Sequence, residues 1–152
     1  MTLSKARSKI FLDTSAVFSA ILSETGGGRK LFRLGEVGFI QLIVGPRVLW
    51  ECDQVVRRKV PNSLPTLAYL LELGQVSTSS EQNRRQLKLA LDIVEHQPDA
   101  YVLAEAIQAK ADWFVTHDKT HFFTIVDRSS VSFKIGTPGD VIQALEDQYR
   151  FP

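Results

Sequence analysis

Short apolar runs alternate with segments of helical periodicity along the chain. The apolar runs are 10–12 (IFL), 40–44 (IQLIV), 75–77 (QVS), 113–116 (WFVT) and 131–135 (VSFKI). Such runs, bounded by turn-forming residues, are typical of buried strands. Apolar positions three and four residues apart predict helices over 15–22, 28–37, 47–59, 64–73, 81–95, 99–111 and 138–149. Strands that alternate with helices favour crossover connections, so we predict a mostly parallel sheet in a three-layer α/β/α fold.

The predicted helix over 99–111 has the clearest apolar stripe. The stripe is formed by Ala100, Leu103, Ala104, Ile107 and Ala111, whereas Glu105, Gln108 and Lys110 fall off it. We therefore expect Glu105 to lie away from the buried face of this helix.

The segment 23–28 (SETGGG) is predicted as a loop. Its three glycines, Gly26 to Gly28, are not followed by the Lys-Ser/Thr pair of a phosphate-binding loop. We predict a flexible turn there.

Length and composition limit the class of protein. A chain of 152 residues with 44% hydrophobic content can bury about two-thirds of its unfolded surface, so we predict one domain over 1–152. The net charge of +1 neither requires nor excludes a polyanionic partner. The single cysteine, Cys52, excludes a disulfide framework and fits a reducing cytoplasm. Since no apolar stretch approaches the ~20 residues of a membrane span, we expect a soluble cytoplasmic protein.

Four acids are predicted at one edge of the sheet. Asp13 follows the run IFL directly, and Asp118 follows WFVT with only His117 between. Ligands collect at the carboxyl ends of parallel strands, where connecting loops leave a crevice. Asp99 opens the helix that leads into the strand before Asp118, so it returns to the same side of the molecule. Glu51 lies on or beside the stripe of its helix that faces the sheet.

Each of these acids also has a structural interpretation. Asp13 and Asp99 could cap the helices that follow them. Asp118 could belong to a solvated turn, and Glu51 could pair with an arginine of its own helix. Considered jointly, four acids at one edge would repel one another without cations. Because hard oxygen ligands select Mg²⁺ or Mn²⁺, we interpret them as a metal site.

A zinc site is the competing interpretation of one segment. His117 and His121 have the spacing of two ligands on a helix, but they follow a strand and no third ligand is near in sequence. We therefore disfavour zinc.

Four segments together resemble the PIN-domain nucleases, in particular the VapC-like toxins of bacterial and archaeal toxin-antitoxin pairs. They are "KIFLDTSAVFSA", "VGPRVLWECDQVVRRK", "PDAYVLAEAIQAKADWFVTHDKTHF" and "VSFKIGTPGDVIQAL". The resemblance covers about residues 9–147 and rests on an Asp-Thr pair after the first strand, a helix acid and Thr-x-Asp, in this order.

The resemblance implies about five parallel strands in the order 3-2-1-4-5, with an acidic pocket at their carboxyl edge. The family's four acids fall on Asp13, Glu51, Asp99 and Asp118, and its supporting polar positions on Ser15 and Thr116. It implies that Asp13, Asp99 and Asp118 contact one or two Mg²⁺ or Mn²⁺ ions, while Glu51 completes the pocket or orients the attacking water.

Four places depart from the family pattern, the mildest being Ser15, where Asn is frequent. Gln97-Pro98 precede the third acid where an Asp is frequent, and His117 stands where Gly is frequent. Thr120 occupies the position of a frequent further acid. These departures bear on the binding of a second metal ion more than on the binding of the first.

The resemblance also implies a substrate and partners. The chain would be an endoribonuclease whose RNA runs through a basic groove, with a cognate antitoxin and a homodimer as protein partners. Candidate RNA-binding residues are Arg29, Lys30, Arg57, Arg58, Lys59, His117 and Lys119. Solvated helix faces are the alternative for these cations. Alternative functions are a catalytically weak module that binds RNA or protein, and a phosphatase-like or receiver-like α/β protein.

Overall fold

Five parallel strands form one sheet. The computed structural model describes residues 6–81, 83–94, 96–118 and 131–150. Its strands are β1 (Lys9–Leu12), β2 (Gln41–Val44), β3 (Ser77–Thr78), β4 (Trp113–Val115) and β5 (Lys134–Gly136). The order in the sheet is β3-β2-β1-β4-β5, and every neighbouring pair is parallel. The predicted parallel sheet and its order are confirmed.

Helices cover both sides of the sheet. They are α1 (Thr14–Leu22), α2 (Gly27–Glu36), α3 (Pro46–Lys59), α4 (Leu64–Leu73), α5 (Arg84–Ile93), α6 (Gln97–Gln108) and α7 (Pro138–Gln148), with a 3₁₀ turn at Pro61–Ser63. The three-layer α/β/α prediction is confirmed. Among the described residues, no helix is both long enough and apolar enough to cross a membrane.

The central strand β1 is buried on both faces. Ile10 and Phe11 are fully inaccessible and Leu12 is 1% exposed. Phe11 stacks on Phe114 of β4 with the ring centroids 5.7 Å apart. A parallel strand with helices on both sides cannot alternate between apolar and polar residues. This is why β1 and β4 appear in the sequence as continuous apolar runs.

The glycine segment after α1 differs from the prediction. Gly26 is the N-cap residue of α2 and Gly27 its first helical residue, so the predicted loop ends earlier than expected. A Cβ atom on Gly28 would lie 2.9 Å from Ser19 Oγ and 3.2 Å from Ala20 Cβ. Gly28 is therefore a packing residue, because it lets α2 approach α1 closely.

The sheet register brings the ends of β1 and β4 side by side. Leu12 pairs with Val115, and the next residue, Asp13, donates its backbone N–H to Val115 O at 2.9 Å. Thr116 extends the ladder by donating its N–H to Gly136 O at 3.0 Å. Asp13 and Thr116 thus leave adjacent strands at the same carboxyl edge.

Candidate active site

Asp13 is a buried carboxylate held by two hydroxyl groups. It is 7% exposed and lies between β1 and the first turn of α1, as the N-cap residue of that helix. Thr116 Oγ1 donates to Asp13 Oδ2 at 2.7 Å, and Ser15 Oγ donates to the same oxygen at 3.2 Å. The two hydroxyls fix the orientation of the Asp13 carboxylate.

The same hydroxyls organise the backbone after β4. Asp118 donates its backbone N–H to Thr116 Oγ1 at 2.9 Å, and His117 donates its N–H to Ser15 Oγ at 2.9 Å. Thr116 therefore links Asp13 to Asp118, which lies three residues beyond the end of β4. Asp118 is half-buried at this edge.

Glu51 reaches this edge from α3. Thr14 Oγ1 donates to Glu51 Oε2 at 2.7 Å, and Arg47 Nε donates to Glu51 Oε1 at 2.9 Å. The structural interpretation of Glu51, an ion pair with an arginine of its own helix, is thus present in the structure. The contact with Thr14 also places Glu51 beside Asp13, so the ion pair does not remove it from the site.

Burial raises the pKa of Asp13. The value rises from the ordinary 3.8 to about 6, mainly because burial removes water from the carboxylate, and the charge of Glu51 adds to the rise. Hydrogen bonds from Thr116, Thr14 and Ser15 act in the opposite direction. A cation bound beside Asp13 would favour its ionised form.

Asp99 lies in the first turn of α6. His96, and not Asp99, is the N-cap residue of this helix, which begins two residues earlier than predicted. Pro98 accounts for the difference, because proline is well accommodated in a first helical turn. Asp99 Oδ2 is 2.9 Å from His96 Nδ1, and the Asp99 side chain is 15% exposed.

The structure does not preassemble a metal site from three acids. Within 6–81, 83–94, 96–118 and 131–150, no three His, Cys, Asp or Glu side chains form a group that could hold a metal ion. A bound cation would offset the repulsion between carboxylates at this edge. The donor set nevertheless fits Mg²⁺, because this ion takes one or two carboxylates and completes its shell with water and substrate phosphate. Asp13 and Glu51 provide such oxygen donors at one place.

Most of the predicted RNA-binding cations have partners within the protein. Arg29 Nε donates to Ala20 O at 2.9 Å, Lys30 Nζ is 3.7 Å from Glu146, Arg57 Nε is 3.0 Å from Asp53, and Lys59 Nζ is 5.9 Å from the Phe18 ring centroid. Arg58 is exposed, and His117 Nε2 lies 3.2 Å from Ser19 Oγ. Lys119, Thr120 and His121 fall outside the described residues. RNA binding by these residues stays a prediction.

Glu105 was wrongly expected to lie away from the buried face. It is 1% exposed, and both of its carboxylate oxygens accept the backbone N–H of Arg47, at 3.1 and 3.2 Å. Burial raises the pKa of Glu105 from the ordinary 4.5 to about 7, and the charges of Glu51 and Glu81 add to the rise. The signal that could have identified it is Gly45-Pro46, a helix start with no capping side chain of its own.

A stability prediction follows from the contact between Gly45 and Glu105. A Cβ atom on Gly45 would lie 2.5 Å from the carboxyl carbon of Glu105. We expect Gly45→Ala to lower the free energy of unfolding by about 1–3 kcal/mol, because the Glu105 carboxylate must move away from the Arg47 backbone N–H that it accepts. Urea denaturation measures the difference. Gly139→Ala is the matched control, since its Cβ would meet nothing closer than 3.7 Å; an equal loss in both variants would contradict the prediction.

The raised pKa of Glu105 predicts a pH-dependent stability. The folded protein binds the proton of the Glu105 carboxyl more tightly than the unfolded chain does. Protonation of Glu105 therefore stabilises the fold fully below about pH 4.5, and this stabilisation is lost as pH rises through about 7. We expect a lower free energy of unfolding at pH 8 than at pH 5, and a smaller difference in Glu105→Gln. Denaturation of both proteins at the two pH values measures this. An unchanged pH dependence in the variant would refute it.

Cys52 is a packing residue. It is 2% exposed, and burial, followed by the nearby charges of Asp13 and Glu51, raises the pKa of its thiol to about 12. The neutral thiol is a poor nucleophile.

A sequence model for the PIN domain matches residues 9–120. The chain belongs to the PIN-domain family. Proteins of this family are nucleases, so the chain has the fold of hydrolases that act on nucleic acids. The phosphatase-like and receiver-like alternatives are therefore wrong. No curated protein matches the chain.

Two solved structures share the PIN-domain fold of this chain. The DNA-bound VapBC complex from Salmonella typhimurium matches with a TM-score of 0.65 and 14% identity, over 86% of this chain and 98% of that one. VapBC2 from Rickettsia felis, bound to a DNA fragment from its promoter, matches with a TM-score of 0.62 and 14% identity, over 84% and 98%. At this identity the likeness shows the fold alone.

Proposed function

We propose that this PIN domain is an endoribonuclease that depends on Mg²⁺ or Mn²⁺ and hydrolyses phosphodiester bonds of RNA. The observation that carries the proposal is Asp13, buried at the carboxyl edge of β1, oriented by Thr116 and Ser15 and placed beside Glu51. Family membership makes a nuclease the expected activity of an acidic group at this edge.

The residues of the chain have distinct roles in this proposal. Asp13, Asp99 and Asp118 would hold one or two ions, directly or through water. When bound, a divalent ion supplies positive charge to the phosphate and lowers the pKa of the attacking water. Thr116 and Ser15 orient the Asp13 carboxylate toward the ion. Glu51, fixed by Thr14 and Arg47, orients the water or accepts its proton.

The proposal is tested with purified protein and a long structured RNA. We expect cleavage with Mg²⁺ or Mn²⁺ and none with chelator, and loss of cleavage in Asp118→Asn. Asp92→Asn, which makes the same chemical change at an exposed position of α5, is the matched control and is expected to cleave normally. Cleavage that persists in chelator would overturn metal dependence. RNA binding without cleavage would favour the module that binds without cutting, the alternative suggested by Thr120 at the position of the frequent further acid.

We further propose that the chain is the toxin of a toxin-antitoxin pair in the cytoplasm. The similarity of its fold to the two VapBC complexes and the free buried thiol of Cys52 support this role and location. A protein antitoxin would then cover the acidic edge, and a homodimer is the expected oligomer. Induced expression should stop growth of a bacterial host. Growth that continues with abundant folded protein would argue against a toxin.

A further inference from the structure

A cavity of about 310 Å³ opens between the beginning of α3 and one face of α6. Pro46, Arg47, Glu81, Tyr101 and Glu105 line it. None of these residues belongs to the proposed catalytic set, yet Arg47 also pairs with Glu51. The cavity therefore adjoins the acidic edge through one shared side chain. Its volume is at the lower limit of ligand pockets, about 300–1,000 Å³, and suits one small planar ligand.

Two flat side chains, Arg47 and Tyr101, line the cavity, and Trp50 lies against Arg47. The guanidinium carbon of Arg47 lies 4.9 Å from the centroid of the Trp50 ring and 5.7 Å from that of Tyr101. Trp50 is 55% exposed, so its ring is accessible to solvent. Aromatic rings and guanidinium planes are the groups on which proteins stack unpaired bases.

Two carboxylates line the cavity, the buried Glu105 and the exposed Glu81. Glu105 is 1% exposed and Glu81 lies nearby on the lining. Glu105 receives a single backbone N–H, from Arg47, so its two oxygens keep further capacity to accept hydrogen bonds. Two acidic side chains repel a phosphate group but accept N–H donors from the edge of a base. Guanine is the base that offers two adjacent N–H donors on its Watson–Crick edge.

We propose that this cavity binds one unstacked base of the RNA, preferentially guanine, against the flat side chains of Tyr101 and Arg47 and against the carboxylates. The inference rests on the proposed ribonuclease function, which identifies the bound nucleic acid as RNA. The bound base then sets which phosphodiester bond lies at the acidic edge, so the cavity is a specificity site outside the carboxylate pocket.

Nucleotide binding tests the cavity without any cleavage. Trp113→Phe leaves Trp50 as the only tryptophan of the full chain, and its fluorescence is followed while GMP, AMP, CMP or UMP is added. We expect saturable quenching, at least about 10-fold tighter for GMP than for UMP. Tyr101→Ala should weaken GMP binding by about 5- to 150-fold, the loss expected for one stacking partner. Tyr101→Phe, which keeps the ring, should bind GMP nearly normally.

Two further variants complete the test. Glu81→Gln should reduce the preference for GMP over UMP, and Tyr69→Ala, at an exposed aromatic position of α4, should change nothing. Absence of saturable quenching, or unchanged GMP affinity in Tyr101→Ala, overturns the proposal. Equal affinity for all four nucleotides overturns the selection of guanine. A protein that binds GMP but cuts no RNA would refute the proposed ribonuclease function and support the base-binding cavity. A protein that cuts RNA but does not bind GMP would refute only the base-binding cavity.

Discussion

Asp13→Asn is expected to lower the rate of RNA cleavage by at least about 100-fold. Asparagine keeps the shape of the side chain but removes the charge that would hold the cation. Even substitution of a residue that only hydrogen-bonds to a metal ligand typically lowers metal affinity or activity by about 10–100-fold. The fold should survive, because the buried carboxylate is costly to ionise and its pKa is already raised to about 6. Cleavage rates at saturating Mn²⁺, with circular dichroism as the check of folding, measure the effect.

The control for Asp13→Asn is Asp92→Asn, the same change on the exposed side of α5. A folded Asp13→Asn protein that cleaves RNA at the rate of the unchanged chain would show that the acidic edge is not the active site. The assignment of Glu51, Asp99 and Asp118 to this site would then fail with it.

Thr116→Val is expected to lower the cleavage rate by about 10–100-fold, the usual effect of removing a group that orients a metal ligand. Valine has nearly the shape of threonine but cannot donate to Asp13 Oδ2 or accept the backbone N–H of Asp118. One substitution therefore disturbs two of the proposed metal-contacting residues. The rate should fall mainly because metal affinity falls, so a Mn²⁺ titration should show a higher half-saturating concentration.

Thr116→Ser is the matched control because it restores the hydroxyl while losing the methyl group. We expect it to recover most of the cleavage rate and the Mn²⁺ affinity. If serine and valine variants behave alike, the hydroxyl does not orient Asp13, and Thr116 acts only through packing of its fully buried side chain.

The sheet was predictable because its strands are buried on both faces. A strand such as β1, in which three consecutive residues are at most 1% exposed, leaves a continuous apolar run that turn residues delimit. The order of the strands came from the resemblance to PIN domains, since periodicity within a strand carries no information about its neighbours. Some predicted ends of elements agree with the structure, as in α4, and others are displaced by up to three residues, as at β5, which begins at Lys134. The single domain over 1–152 stays a prediction.

Glu105 shows why the environment of the site was harder to predict. A helical stripe assumes that one face of a helix is buried, but residues 102–106 of α6 are all buried. A helix enclosed by neighbours has no solvent face on which to place an acid. Likewise, the sequence places Asp13 at the edge of the sheet, but only the fold shows that Thr116 and Ser15 share one of its oxygens.

Because Gly45 has no side chain, positions 45 and 105 depend on each other and can be exchanged only together. Glu105 occupies the space that any β-carbon at position 45 would need, and it accepts the backbone N–H of Arg47, the first N–H of α3. A chimera that takes β2 and α3 from one PIN domain and α6 from another would therefore separate a donor from its acceptor. Recombination boundaries in this chain should keep residues 45–47 and 105 from the same parent.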